Sequence, residues 1–159
     1  MNKQEKNAFM EAAVKEAFKG VRGNHGGPFG AVVVQNGIIL ARAHNKVVSS
    51  KDPTAHAEIL AIRKTSKILN RFDLSDCEIY SSCEPCPMCL AAILWARIKK
   101  IYYGCTRDDA AAIGFDDRVI YEILDIKKEK KHLKKIMLNR ERCLQPFKEW
   151  TDKTDRITY

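Results

Sequence analysis

Residues 77–104 read CEIYSSCEPCPMCLAAILWARIKKIYYG, and their order of patterns decides the architecture. CEIYS at 77–81 is short and bounded by polar residues, as a strand is. Residues 87–97 place Met88, Ala91, Ala92, Trp95 and Ala96 at helical spacing, with Leu90, Ile93 and Leu94 on the other sides. The pattern predicts a helix that is largely buried. KIYYG at 100–104 returns to strand character, so the stretch reads strand, helix, strand.

Working outward, residues 3–21 carry Phe9, Ala12, Ala13, Ala17 and Val21 among lysines and glutamates, a helix with one buried face. Glycines at 20, 23, 26 and 27 and Pro28 break it. FGAVVV at 29–34 and the run 38–43 flank Asn36-Gly37, a strong hairpin signal. A helix is predicted over 55–69, with His56 in its first turn. Downstream, residues 119–131 predict a helix, 135–139 a strand and 146–155 a closing helix. This alternation predicts a three-layer α/β/α sandwich around a five-stranded mixed sheet, mostly parallel, with helices on both faces. With 159 residues and 45% apolar composition, one domain spanning 1–159 is expected. Its residues from about 143 to 159 read as a C-terminal tail that closes over an active site.

No run of eighteen apolar residues occurs, and the first ten residues lack the apolar core of a signal peptide. Six cysteines without a secreted scaffold's short spacings suit a reducing compartment, and the cytoplasm is the expected location. The formal net charge is +8, and much of the surplus falls in residues 127–142, KKEKKHLKKIMLNRER. Such a run is a solvated face or an anion-binding patch, and composition leaves both readings open.

The chemistry lies where the helices begin. Cys86 and Cys89 are three apart at a helix start, where their sulfurs share a side and the helix N-terminus favours thiolates. Pro85 and Pro87 suit that position, because a first-turn proline sacrifices no intrahelical hydrogen bond. His56 completes a His-Cys-Cys set, the protein-ligand count of catalytic zinc, with a fourth position left for water. A bound metal ion lowers the pKa of its water from 15.7 to roughly 7. Glu58, two residues from His56, is placed to border that water and relay its proton. A redox pair or part of an iron-sulfur run would also use Cys83, Cys86 and Cys89, but the fourth cysteine and following proline of the latter are missing. Cys77, Cys105 and Cys143 read as small buried hydrophobes.

His56-Ala57-Glu58 together with Pro85-Cys86-Pro87-Met88-Cys89 resembles the zinc-dependent cytidine deaminase superfamily. Pro28 to Val33 and Asn45 occupy the places of that family's first strand and substrate-side asparagine. Trp95-Ala96-Arg97, Gly114-Phe115-Asp116-Asp117, Pro146-Phe147 and the terminal Tyr159 are similar to the bacterial guanine deaminases within it. The resemblance implies one Zn2+ per chain on His56, Cys86 and Cys89, with Glu58 as proton shuttle. It implies Asp117 as a second catalytic group, and Phe29, Asn45, Trp95 and Tyr159 near the substrate. Other readings stand beside these: Asp117 as a helix N-cap, Phe29 as core, Asn45 as a turn residue, Trp95 as core or as a dimer contact reaching the partner's site. The implied reaction is hydrolysis of guanine to xanthine and ammonia in a homodimer, possible tail exchange included. Deamination of tRNA adenosine is the alternative, and a structural zinc module or redox protein the non-enzymatic one.

Overall fold

The computed structural model of the protein describes residues 2–124 and 134–156. Five strands form one sheet in the order β2-β1-β3-β4-β5. They are β1 (Gly30–Gln35), β2 (Ile38–His44), β3 (Cys77–Cys83), β4 (Lys100–Cys105) and β5 (Lys134–Met137). Asn36 and Gly37 take positive φ of 48° and 78°, so the hairpin joins β1 to β2 through the expected two-residue turn. That turn makes β2 antiparallel to β1, and β3 is also antiparallel to β1, whereas β3–β4 and β4–β5 are parallel. Four strands therefore share a direction and only β1 opposes them. Half of the four pairings are antiparallel, more than a mostly parallel sheet implies. The reason is that the chain leaving β2 crosses over β1 before adding β3.

Helices cover both faces. On one, α1 (Lys3–Arg22) and α7 (Arg140–Asp152) pack Phe9, Met10, Val14, Cys143 and Phe147 against Val32, Val34, Tyr80 and Tyr102. On the other, α3 (Ala57–Leu69) and α4 (Pro87–Trp95) bring Ala57, Ala61 and Ile93 against Ala31, Val33, Ile79 and Ile101. Successive β1 residues thus enter opposite cores, which is why this central strand is apolar throughout rather than alternating. A Cβ on Gly30 would stand 2.1 Å from the Ala13 carbonyl oxygen and 2.5 Å from the Ala17 nitrogen. Glycine there lets α1 lie directly on the sheet.

Several boundaries differ from expectation. Helix α3 starts at Ala57, so His56 is its N-cap in extended conformation rather than a first-turn residue. Helix α7 begins at Arg140 and contains Pro146, because Cys143, Phe147 and Trp150 form a buried stripe strong enough to extend a helix through a proline. The short helices α2 (Val47–Ser50) and α5 (Arg107–Ala112) are absent from the sequence reading. Helix α6 (Arg118–Leu124) starts one residue early, and its expected continuation to 131 lies outside the described residues. Helix α4 is apolar all round yet buries only Pro87, Cys89 and Ile93. Trp95 is 85% exposed, which corrects both its core reading and the largely buried helix.

Candidate active site

Because only β1 runs against the others, one edge of the sheet collects the C-terminal ends of four strands and the start of the fifth. Ligand sites of open α/β sheets form at this edge. Phe29 precedes β1, Asn45 follows β2, Glu84 to Cys86 follow β3, and Arg107 follows β4. These residues, with His56, Glu58, Cys83, Ala110, Gly114, Phe115, Asp116, Asp117 and Ile120, line a cavity of about 290 Å³. That volume sits at the lower end of small-molecule pockets.

Two helix N-termini meet in the cavity floor. His56 caps α3 and Cys86 caps α4, while Cys89 lies in the first turn of α4 behind Pro87. Nδ1 of His56 is 3.6 Å from Sγ of Cys86 and 3.5 Å from Sγ of Cys89. A tetrahedral zinc with Zn–S of about 2.3 Å and Zn–N of about 2.0–2.1 Å spaces adjacent N and S ligands about 3.5–3.6 Å apart. The donor set therefore fits zinc in both chemistry and span, and it is the sole such cluster among the described residues. Hydrogen bonding from Cys89, helped by His56 and opposed by burial, brings the Cys86 thiol down to about 4. The neighbouring Cys86 and burial push Cys89 upward. The pair thus readily yields one thiolate.

Glu58 is buried in the first turn of α3. The Ser81 hydroxyl donates to its Oε1 at 3.0 Å, and its Oε2 lies 3.4 Å from the Cys89 sulfur. One carboxylate oxygen is thereby held by β3 and the other faces the metal ligands. Burial raises the Glu58 pKa, with Cys86 adding to the shift. The carboxyl is accordingly poised to hold a proton. Asp117 also lines the cavity, and its carbonyl accepts from the Ile120 and Tyr121 amides at 3.0 and 3.3 Å and starts α6. Its helix-initiating and cavity-lining positions coexist. Burial raises its pKa too, again with Cys86 contributing.

Phe29 meets Phe115 edge-on at 5.0 Å and Phe147 of α7 at 5.4 Å, so it belongs to the core and to the cavity wall at once. The Asn45 side chain accepts the Val47 amide at 3.1 Å as a turn residue does, and it also lines the cavity. Trp95 is not among the lining residues of this chain. Tyr159 lies outside the described residues.

Sequence reasoning overlooked the wall contributed by Glu84, Arg107 and Ile120. Thr106-Arg107-Asp108-Asp109 held the missing signal, since Thr106 and Asp109 form a reciprocal capping box that starts α5 and presents Arg107 to the cavity. Glu84 is held by the Lys135 ammonium at 2.5 Å, a pair that ties the cysteine loop to β5. Two residues 51 apart carry no local signature of such a contact.

A His-Cys-Cys metal site on two converging helix starts, with a buried glutamate beside it, defines a zinc-binding deaminase domain. Residues 3–105 match the family described as the cytidine and deoxycytidylate deaminase zinc-binding region, and the chain belongs to it. It is similar to the guanine deaminase of Bacillus subtilis (strain 168), with 46% identity over 95% of this chain and 97% of that one. The solved structure of guanine deaminase from Bacillus subtilis superposes with a TM-score of 0.73, covering 100% of this chain and 99% of the other at 44% identity. Guanine deaminase from Nitrosomonas europaea gives a TM-score of 0.79 at 27% identity, over 91% and 84% of the two chains. The tRNA-specific adenosine deaminase of Aquifex aeolicus (strain VF5) is 42% identical over 62% of this chain and 65% of that one.

Proposed function

We propose that the protein hydrolyses guanine to xanthine and ammonia, with one zinc ion per chain on His56, Cys86 and Cys89. The observation that carries this reading is the half-buried Asp117 carboxyl lining the same cavity as His56, Glu58 and Cys86, a cavity sized for one base. Guanine presents N1–H and its 2-amino group as donors on one edge, which a carboxylate accepts, whereas adenine presents an acceptor at N1. A buried acceptor opposed to an acceptor is strongly disfavoured, so this wall selects guanine.

Bound zinc would supply an activated water. Glu58, held by Ser81, takes the proton of that water and returns it to a ring nitrogen as the water oxygen adds to C2. As the C2–N bond breaks and the C2 carbonyl forms, the Asp117 carboxylate takes the hydroxyl proton of the C2 adduct and passes it to the departing amine, so water plus guanine become xanthine plus ammonia. Phe29 and Phe115 pack along the base and Asn45 binds its polar edge; residues 143–152 belong to α7, whose Cys143, Phe147 and Trp150 are buried in the core, so the segment that closes over the cavity starts after Asp152 rather than at about 143. Among the described residues no helix is long and apolar enough to cross a membrane, in keeping with a cytoplasmic enzyme of purine metabolism.

Trp95 and Leu94, 85% and 53% exposed on α4, support a homodimer in which Trp95 reaches the partner's site. Replacing both by Ser should yield a monomer in sedimentation; an unchanged sedimentation coefficient sinks this assembly.

Ammonia release from guanine, adenine, cytosine, guanosine and tRNA tests the reaction directly. Guanine should dominate. Release from tRNA alone, falling steeply with salt as phosphate contacts do, would replace this reading with tRNA adenosine deamination. The basic run at 127–142 is the feature that favours that second reading.

A further inference from the structure

Away from the metal ligands, a chain of polar side chains links α1, the end of β2 and the loop between α1 and β1, and none of its members lines the cavity. Glu16 of α1 is 6% exposed, an unusual depth for a carboxylate. Its Oε1 takes the Lys19 ammonium at 2.5 Å, and its Oε2 lies 3.0 Å from Nδ1 of His44 at the end of β2. Nε2 of His44 is 2.8 Å from Nδ1 of His25, in the loop between α1 and β1. A carboxylate only accepts, so Nδ1 of His44 donates to Glu16. In the neutral ring Nε2 is then bare, and it accepts the Nδ1–H of His25. The chain has one direction, from His25 through His44 to Glu16.

What it anchors is the loop that backs the cavity. The His25 carbonyl accepts the Val48 and Ser49 amides at 3.1 and 3.0 Å, just beyond Asn45. Next in sequence is Gly26, where a Cβ would stand 2.1 Å from Oδ1 of Asn45. The loop backbone is thus pressed against the Asn45 side chain. Further on, the Phe29 amide donates to the Gly27 carbonyl at 2.8 Å, and the Asn45 amide donates to the Phe29 carbonyl at 3.0 Å. His25 is the side chain that ties the loop through His44 to Glu16, and Asn45 and Phe29 are the cavity residues the loop supports.

We infer that Glu16, His44 and His25 are positioning residues that hold the 23–28 loop against Asn45 and Phe29 and so set the affinity for the base. The inference rests on the reading of Asn45 and Phe29 as base-contacting residues. A proton-transfer role does not suit this cluster, since none of its three members lines the cavity that holds Glu58. Its effect is on binding, shared by ground and transition states, and a loss of such binding raises KM while leaving kcat in place.

The test compares Glu16→Ala, Glu16→Gln, His25→Ala, Gly26→Ala and Asn45→Ala in the zinc-loaded protein, reading KM and kcat for guanine, zinc content and Tm. Glu16→Ala and His25→Ala should each raise KM roughly five- to tenfold, as loss of one well-placed hydrogen bond does, with kcat and zinc within about twofold of the parent. Glu16→Gln retains a carbonyl acceptor for His44 and should restore KM to within about twofold. Gly26→Ala should reproduce the Asn45→Ala rise in KM. If Glu16→Ala does not fold, His25→Ala, whose ring is partly exposed, carries the test alone. Lowered Tm with KM at the parent value in the relay variants, while Asn45→Ala still raises KM, overturns the inference and leaves the pocket reading standing. An unchanged KM in Asn45→Ala overturns the pocket reading itself, and the inference with it.

Discussion

At the scale of single residues, the site works through environment more than identity. Glu58 and Asp117 are both carboxyls with raised pKa, yet their surroundings differ. Glu58 is enclosed and fixed by Ser81, whereas Asp117 is half-buried in the cavity lining at the start of α6. Glu58→Gln keeps the shape and the Ser81 hydrogen bond but cannot shuttle a proton. Zinc content should stay at the parent level while turnover falls about 10²–10⁴-fold; unchanged turnover would remove Glu58 from the reaction, and lost zinc would make it structural. Asp117→Asn should cut kcat/KM for guanine about a hundredfold and narrow the preference for guanine over adenine, measured with both bases in parallel. Trp95 shows the limit of reading a residue from its type. A large apolar side chain at helical spacing is ordinarily core, and here it points outward because α4 is covered by the sheet on one side only.

At the scale of elements, three helix starts aim at one sheet edge, and each is built from local chemistry: His56 before α3, Cys86-Pro87 before α4, and the Thr106/Asp109 box before α5. Their positions relative to one another come from packing on the sheet. Gly30 sets the distance between α1 and β1, and Gly30 also donates its amide to the Ser82 hydroxyl at 2.9 Å on β3. Gly30→Ala should therefore cost about 1–3 kcal/mol of stability in urea denaturation, the range for an overpacked core, and should lower activity by shifting Phe29. A Tm equal to the parent's would mean α1 yields without strain. The hairpin and the five strands were legible because Asn36-Gly37 and the apolar runs are local signals. The antiparallel β1–β3 pairing was not, since it depends on where the chain re-enters after α3.

At the scale of the whole molecule, the Glu16–His44 pair makes acid oppose folding. Burial lowers the His44 pKa, with Lys46 and His25 acting in the same direction and Glu16 against it. Burial opposes the Glu16 charge, but Lys19 and His44 outweigh it and the pKa is lowered. Both groups bind fewer protons folded than unfolded, so stability is present above their unfolded values and is lost as pH falls. For His44 that loss begins below about pH 6.5, and for Glu16 below about pH 4.3. His44→Asn should flatten the fall in Tm between about pH 6.5 and 5 relative to the parent; an identical slope would show that His44 does not contribute.

From the sequence alone came the strands, most helices, the His56, Cys86 and Cys89 cluster and the neighbouring Glu58, because periodicity, turn chemistry and ligand spacing act within a few residues. His56 and Glu58 were legible even though thirty residues separate His56 from Cys86, since each half of the site carries its own pattern. Only the tertiary structure decided what surrounds them: Glu84 held by Lys135, Arg107 brought in by α5, Trp95 left on the surface, and the Glu16–His44–His25 chain behind Asn45. These contacts join residues far apart in the chain, and their geometry follows from how helices settle on a sheet, which no local pattern encodes.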